Sequence, residues 1–178
     1  NTEEQMKQAG KKGEDDVEYA LKWLPEDFVV IDKRDGIILR CNQMLGEKQE
    51  FDHIVVSSQG IFSIETKNYA GKIVIDNQGN WVRHKLDGSI VGEENPTAQL
   101  MRHHRVLEEI VGKVEIHDLL CIANSKTIIE GAENSPIPVV KHDMLSYYLW
   151  NYRNENNKTY SKEEIRTFVE KIESHRIN

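Results

Sequence analysis

Cysteine is scarce in this chain: of 178 residues only Cys41 and Cys121 carry thiols, and neither has a partner at motif spacing. A disulfide framework is not indicated, and free thiols in a reducing compartment suit the pattern. Long apolar runs are lacking too, with nothing approaching the ~20 residues of a membrane span. Hydrophobic residues make up 38% and charged residues 30%, the composition of a soluble globular chain, and a cytoplasmic location is expected. There is no surplus of positive charge either. The formal net charge of −7 argues against a protein that holds nucleic acid by bulk electrostatics. A Gly-rich phosphate loop, a G-x-S-x-G elbow, an H-E-x-x-H helix and a C-x-x-C pair are all missing, which removes the enzyme classes built on them. No repeat or low-complexity tract breaks the chain. It opens on Asn rather than Met, so we expect that a preceding stretch, able to carry a targeting or anchoring segment, has been trimmed.

The most informative segment is EFDHIVVSSQGIFSIETKNY, residues 50–69. Residues 51–56 and 61–67 are rich in Ile, Val and Phe, and Ser57-Ser58-Gln59-Gly60 supplies turn chemistry, so a β-hairpin is expected. Side chains alternate faces along a strand, which puts Glu65 and Lys67 on one side and Asp52 with Glu50 and Ile54. If Asp52 lies opposite Glu65, two carboxylates and an ammonium converge between strands whose apolar residues point to burial. Each alone would be costly there. A hard divalent cation such as Mg²⁺ or Mn²⁺, which takes oxygen ligands and keeps waters, would offset that cost.

Asp52, followed after twelve residues by Glu65-Thr66-Lys67, resembles the D…ExK core of the PD-(D/E)XK nuclease superfamily. Its surroundings are more specific: Gly13-Glu14 in a first helix, Glu50-Phe51-Asp52-His53, Gly60-Ile61-Phe62, Glu65-Thr66-Lys67-Asn68-Tyr69-x-Gly71, Trp81 and Asn95-Pro96-x-x-Gln99. In that order, over roughly residues 10–112, they look like the nuclease-related domain (NERD) family. The resemblance implies a metal-dependent nuclease that hydrolyses phosphodiesters in DNA, with RNA as a further candidate substrate. It implies Asp52 and Glu65 as ligands of Mg²⁺ or Mn²⁺, and Lys67 beside the attacking water. Glu14 matches the helix-borne acid of the first motif and Gln99 the polar residue of the helix after the core strands; none of the five positions departs from the pattern. Residues 113–178 match no family pattern.

Plainer readings stand beside these. Glu65 and Lys67 could form an ordinary same-face ion pair on a solvated strand, worth about 0 to 1 kcal/mol. Glu14 borders the apolar stripe Met6, Gly10, Gly13, Val17, Leu21, Leu24 and is read either as structural or as a metal-site neighbour. His53 reads as a packed or hydrogen-bonded histidine rather than a catalyst. His103 and His104, between Arg102 and Arg105, form a phosphate-contacting or solvated cluster rather than a zinc pair, because no third ligand sits at the right spacing. Local nucleic-acid contacts are expected at Lys11, Lys12, Arg102, His103 and Arg105, with modest, strongly salt-dependent DNA affinity. A dissociation constant unchanged between low and high salt would count against it.

The expected fold is α/β: one domain over residues 1–178 with a restriction-endonuclease-like core, a central mixed sheet carrying the hairpin, and flanking helices. A first helix spans residues 3–24, then come a strand at 28–31 and a polar stretch at 32–48 with a short strand at 37–39. A second hairpin covers 72–75 and 81–86. Asn95-Pro96 opens a helix, with Asn as cap and Pro in the first turn. Strand character returns at 117–123 and 126–129, a short helix follows near 143–152, and a polar linker at 151–158 precedes a last helix with a Ser161-x-x-Glu164 capping box. The competing functional reading is a nucleic-acid- or partner-binding module on the same fold that turns over slowly or not at all.

Overall fold

Eight consecutive residues, Gly60–Lys67, form the strand about which everything else is arranged, buried from Gly60 to Thr66. A strand covered on both faces must read as a near-continuous apolar run, and this one does until its polar end. The structure, a computed structural model, describes residues 2–41 and 48–178. The part of the expected polar stretch at residues 42–47, and Asn1, lie outside the described residues.

In chain order the elements are helix α1 (Glu3–Leu21), strands β1 (Val29–Val30), β2 (Ile37–Arg40), β3 (Lys48–Phe51), β4 (His53–Ser57), β5 (Gly60–Lys67), β6 (Lys72–Ile75), β7 (Trp81–His84) and β8 (Ile90–Glu93), helix α2 (Thr97–Val111), strands β9 (Ile116–Ile122), β10 (Ile128–Glu130) and β11 (Val139–Lys141), and helices α3 (His142–Asn151) and α4 (Lys162–Ser174). The central sheet has the order β1-β4-β5-β9-β11. Its β1 to β5 side is antiparallel and its β5 to β11 side parallel, so the sheet is mixed. A second sheet runs β10-β6-β7-β8, and β2 pairs with β3.

Alternation along β4, β5 and β9 divides the core. Val55, Phe62, Ile64, Leu119 and Cys121 face Val17 and Leu21 of α1 and Leu145 and Leu149 of α3. Ile54, Val56 and Ile61 face the opposite way, onto α2 through Val106 and Leu107 and onto α4 through Ile165, Phe168 and Ile172. Leu120 and Ile122 join Leu100 of α2 and the second sheet's Ile73, Ile75 and Trp81. A two-faced sheet clothed by two helices on each side is the result. Among the described residues, no helix is long and apolar enough to cross a membrane.

Three departures from expectation have physical causes. The run at residues 51–56 is not one strand: it breaks at Asp52, with β3 pairing to β2 and β4 to β5, because the chain changes sheets there. The α1 stripe is buried only from Gly13 onward, and Met6 and Gly10 lie exposed. Gly13 marks the change, since a Cβ there would come within 3.0 Å of Asn68 Cβ and 3.1 Å of Ala123 Cβ. Residues 151–158 are no loose linker. Asn154 is buried, donates through Nδ2 to the Lys158 carbonyl at 2.6 Å, and receives the Lys158 amide proton on Oδ1 at 2.9 Å. The Ser161–Glu164 capping box is closed on α4, whereas the cap position of α2 falls on Pro96, which has no side-chain acceptor; Asn95, expected as the cap, stands one residue earlier and its Oδ1 accepts from the Thr97 amide at 2.9 Å.

Candidate active site

The β4–β5 register pairs His53 with Ile64 and Ile54 with Ser63; one step further, Asp52 falls across from Glu65. The Thr66 amide donates to Asp52 Oδ2 at 2.8 Å, fixing that carboxylate at the open end of the hairpin. Glu65 projects from the face it shares with Lys67, whose Nζ lies 3.8 Å from Glu65 Oε1. Glu65 is only 4% exposed, so the pair is not a solvated surface bridge.

The charges here are in conflict. Burial, then the facing Asp52 carboxylate, push Glu65 up to about 9, with Lys67 pulling the other way. Burial and Asp52 thus favour the protonated form of Glu65, against which Lys67, 3.8 Å away, works. Among the described residues Glu65 Oε2 is buried without a hydrogen-bond partner, although Asp52 lies near enough to share a proton with it. Such an orphan carboxylate oxygen is expensive and calls for a cation or a proton.

Helix α1 contributes a third carboxylate. Glu14, half-buried, is raised by its own burial and by the Asp52 charge, and partly restrained by Lys33, whose Nζ lies 3.2 Å from Glu14 Oε1. One turn further along α1, Glu18 Oε2 accepts from His53 Nδ1 at 3.1 Å. His53 Nε2, left as acceptor, takes the Thr66 hydroxyl proton at 2.9 Å. His53 is thus a buried, hydrogen-bonded histidine that ties α1 to the Thr66 whose amide holds Asp52. Lys33 and Glu18 escaped the sequence reading. Lys33 sits in a loop with no local signal, whereas Glu18 could have been found as the residue four past Glu14 on the same helix face.

The remaining candidates divide. Gln99 is half-buried on α2 and, among the described residues, makes no hydrogen bond to Asp52 or Glu65. His103 corrects the reading of a solvated cluster: it is 2% exposed, stacks on Phe51 with ring centroids 4.2 Å apart, and burial pushes it down to about 4 despite the pull of Asp52. Its ring is packed inside and not solvated. His104 is bound between Asp118 at 2.7 Å and Glu108 at 2.8 Å. Arg102 and Arg105 are exposed on α2. Lys11 and Lys12 are exposed but paired along the helix with Asp15 at 3.2 Å and Asp16 at 2.7 Å.

The donor set suits a hard cation only in part. Two facing carboxylates, one with an orphan oxygen, fit an ion that keeps most of its waters. Among the described residues, however, no three His, Cys, Asp or Glu side chains group closely enough to close a cage.

A mixed sheet flanked by four helices, with an acid, an acid and a lysine presented at one end of its central hairpin, is the architecture of the PD-(D/E)XK-like nucleases. Within that class the model of the nuclease-related domain, NERD, matches residues 9–123, more than half of the sequence, and the chain belongs to that family. The match runs past the expected end near residue 112 and takes in β9, the parallel neighbour of β5. No curated protein and no solved structure matches the chain.

Proposed function

We propose that the chain is a metal-dependent nuclease that hydrolyses phosphodiester bonds in DNA, with Asp52 and Glu65 holding Mg²⁺ or Mn²⁺. The observation that carries this reading is the buried Glu65 carboxyl facing Asp52, with Oε2 lacking a hydrogen-bond partner among the described residues. A bound divalent ion would polarise the scissile phosphate and lower the pKa of a water. The chain's own groups supply the rest. Thr66 holds Asp52 through its amide, and His53, anchored by Glu18, holds Thr66. Lys67, about one-third exposed, offers an ammonium to a phosphate oxygen or to the attacking water once Glu65 is ionised. Glu14 and Lys33 form a charge-balanced pair behind Asp52. Gln99 and Arg102 stand on the helix that flanks this side, and we assign them to shaping and approach. Residues 113–178 complete the same domain through β9 and β11.

The test is calorimetric titration of Mg²⁺ and Mn²⁺ into wild type, Asp52→Ala and Glu65→Ala, with plasmid and single-stranded oligonucleotide incubated in parallel. Metal binding and cleavage are expected in wild type and should vanish together in both variants, while the variants stay folded. A fully active Asp52→Ala protein would sink the assignment. A second reading, a non-catalytic binding module, is favoured by the two-carboxylate donor set and by the net charge of −7. Wild type that takes up no divalent ion would select it.

A further inference from the structure

Beside the charged end of the hairpin opens a cleft of about 910 Å³. That is the upper end of the roughly 300–1,000 Å³ found for small-molecule sites, enough for a length of chain rather than an ion. Its lining includes Asn68 and Tyr69, the residues that follow Lys67. The cleft therefore begins one residue past the strand that carries Glu65 and Lys67.

Its two walls are apolar at the lip and polar below. On one side Met6 continues the apolar stripe of α1 beyond the point where the helix is packed, 64% exposed, with Gly10 leaving open space beside it. On the other side Leu86 stands at the turn between β7 and β8, 86% exposed, next to Lys85. The acids nearby are committed: Glu93 lies 2.7 Å from Arg83, and Asp87 accepts from the Ser89 amide and hydroxyl in its own turn. Lys85 is left as a cation of the lining, and Lys67 stands next in the chain to Asn68.

We infer that this cleft receives one strand of nucleic acid with its bases unpaired, and this rests on the reading of Asp52, Glu65 and Lys67 as a phosphodiesterase site. A single strand has what the walls ask for, apolar base faces for Met6 and Leu86 and a phosphate for Lys85, with Lys67 next in the chain to the lining. In a duplex those faces are stacked away, and Met or Leu side chains reach them only by wedging a base step apart.

The test measures fluorescence anisotropy of a labelled single-stranded oligonucleotide and of its duplex, with Ca²⁺ replacing Mg²⁺ and oligonucleotide integrity checked on a gel. Wild type should bind the single strand about tenfold or more tighter than the duplex, and Leu86→Asp and Lys85→Glu should each weaken single-strand binding about tenfold. Leu86 is exposed and Lys85 half-buried beside the same turn, so a urea melt checks that each variant is folded, and calorimetric Mg²⁺ binding by these variants should equal wild type. Equal or tighter duplex binding, variants that bind as wild type, or no binding of either oligonucleotide would overturn the inference while leaving the metal reading to its own test. Loss of metal binding in Asp52→Ala with no cleavage by wild type, alongside a preserved single-strand preference, would overturn the catalytic reading and keep the cleft.

Discussion

At its turn the β4–β5 hairpin is saturated with hydrogen bonds; at its open end it is left in electrostatic conflict. Around the turn Gln59 Oε1 accepts from the Asn154 amide at 2.9 Å, the Gln59 carbonyl accepts from His117 Nε2 at 2.8 Å, and the Ser58 carbonyl accepts from the Tyr160 amide at 2.8 Å. Gly60 has φ +118°, and a Cβ there would collide with the Glu115 carbonyl, the same group that accepts the Ile61 amide at 2.8 Å. About 17 Å along the strand from Gly60, by its rise per residue, Glu65 is buried against a second carboxylate, its Oε2 without a hydrogen-bond partner among the described residues. One strand thus carries both a rigid anchor and an unfavourable site. The anchor supplies the stability against which the misplaced charge is held, as is common where a fold gives up local consistency for chemistry.

The contrast breaks most visibly with pH. Unfolded, the Glu65 carboxyl titrates near its ordinary 4.5; folded, near 9. The native state keeps the proton, so this group's stabilisation is fully present below about 4.5 and is lost as pH rises through about 9. The loss is on the order of 1 kcal/mol per pH unit within that window, and Glu14, also raised, acts in the same direction. Urea melts of metal-free wild type at pH 5, 7 and 9 should show falling stability, Glu65→Gln should flatten the trend, and Mg²⁺ should restore wild type at pH 9 but not the variant. Parallel profiles for the two proteins would show that Glu65 is not the strained group.

At the other end Asn154→Ala should act oppositely. It leaves the Lys158 amide and carbonyl without their partners, while Gln59 Oε1 loses the Asn154 side-chain amide and keeps the backbone one, a loss of about 1–3 kcal/mol at any neutral pH. Mg²⁺ affinity measured by calorimetry should not change. A variant that lost metal binding while still folded would mean that the two ends are coupled through β5 rather than merely supported by it.

Much of this contrast could be read from residue order. The hairpin followed from two apolar runs around Ser57-Ser58-Gln59-Gly60, and the shared face of Glu65 and Lys67 from the period of two. What could not be read depends on long-range packing. The break at Asp52 is hidden because both flanks look like strand, and only pairing with β2 on one side and β5 on the other separates them. Lys33 reaches Glu14 across a loop that local patterns do not describe. His103 was legible after all: Leu100, His103, Val106, Leu107 and Ile110 share the buried face of α2, and the flanking Arg102, His104 and Arg105 drew attention to the wrong side of the helix. Asn154 looked like one more asparagine in a polar run, because nothing in the order of residues tells a buried asparagine from a solvated one.

The smallest effect tests how far the anchor extends. Tyr160, whose amide meets Ser58 and whose hydroxyl accepts from the Glu115 amide at 3.0 Å, is followed directly by Ser161, the cap of α4. Ser161 Oγ accepts from the Glu164 amide at 3.1 Å, and the Glu164 carboxylate accepts from the Ser161 amide at 3.1 Å. Ser161→Ala removes half of that reciprocal cap and should cost about 1 kcal/mol in a urea melt. If α4 serves the turn end alone, the loss should be the same at pH 5 and pH 9, and Mg²⁺ affinity should stay at the wild-type value. A loss that grew with pH would instead place α4 among the supports of the carboxylate end, since its Ile165, Phe168 and Ile172 pack in the same core as Ile54 and Phe51, the neighbours on either side of the Asp52–His53 step.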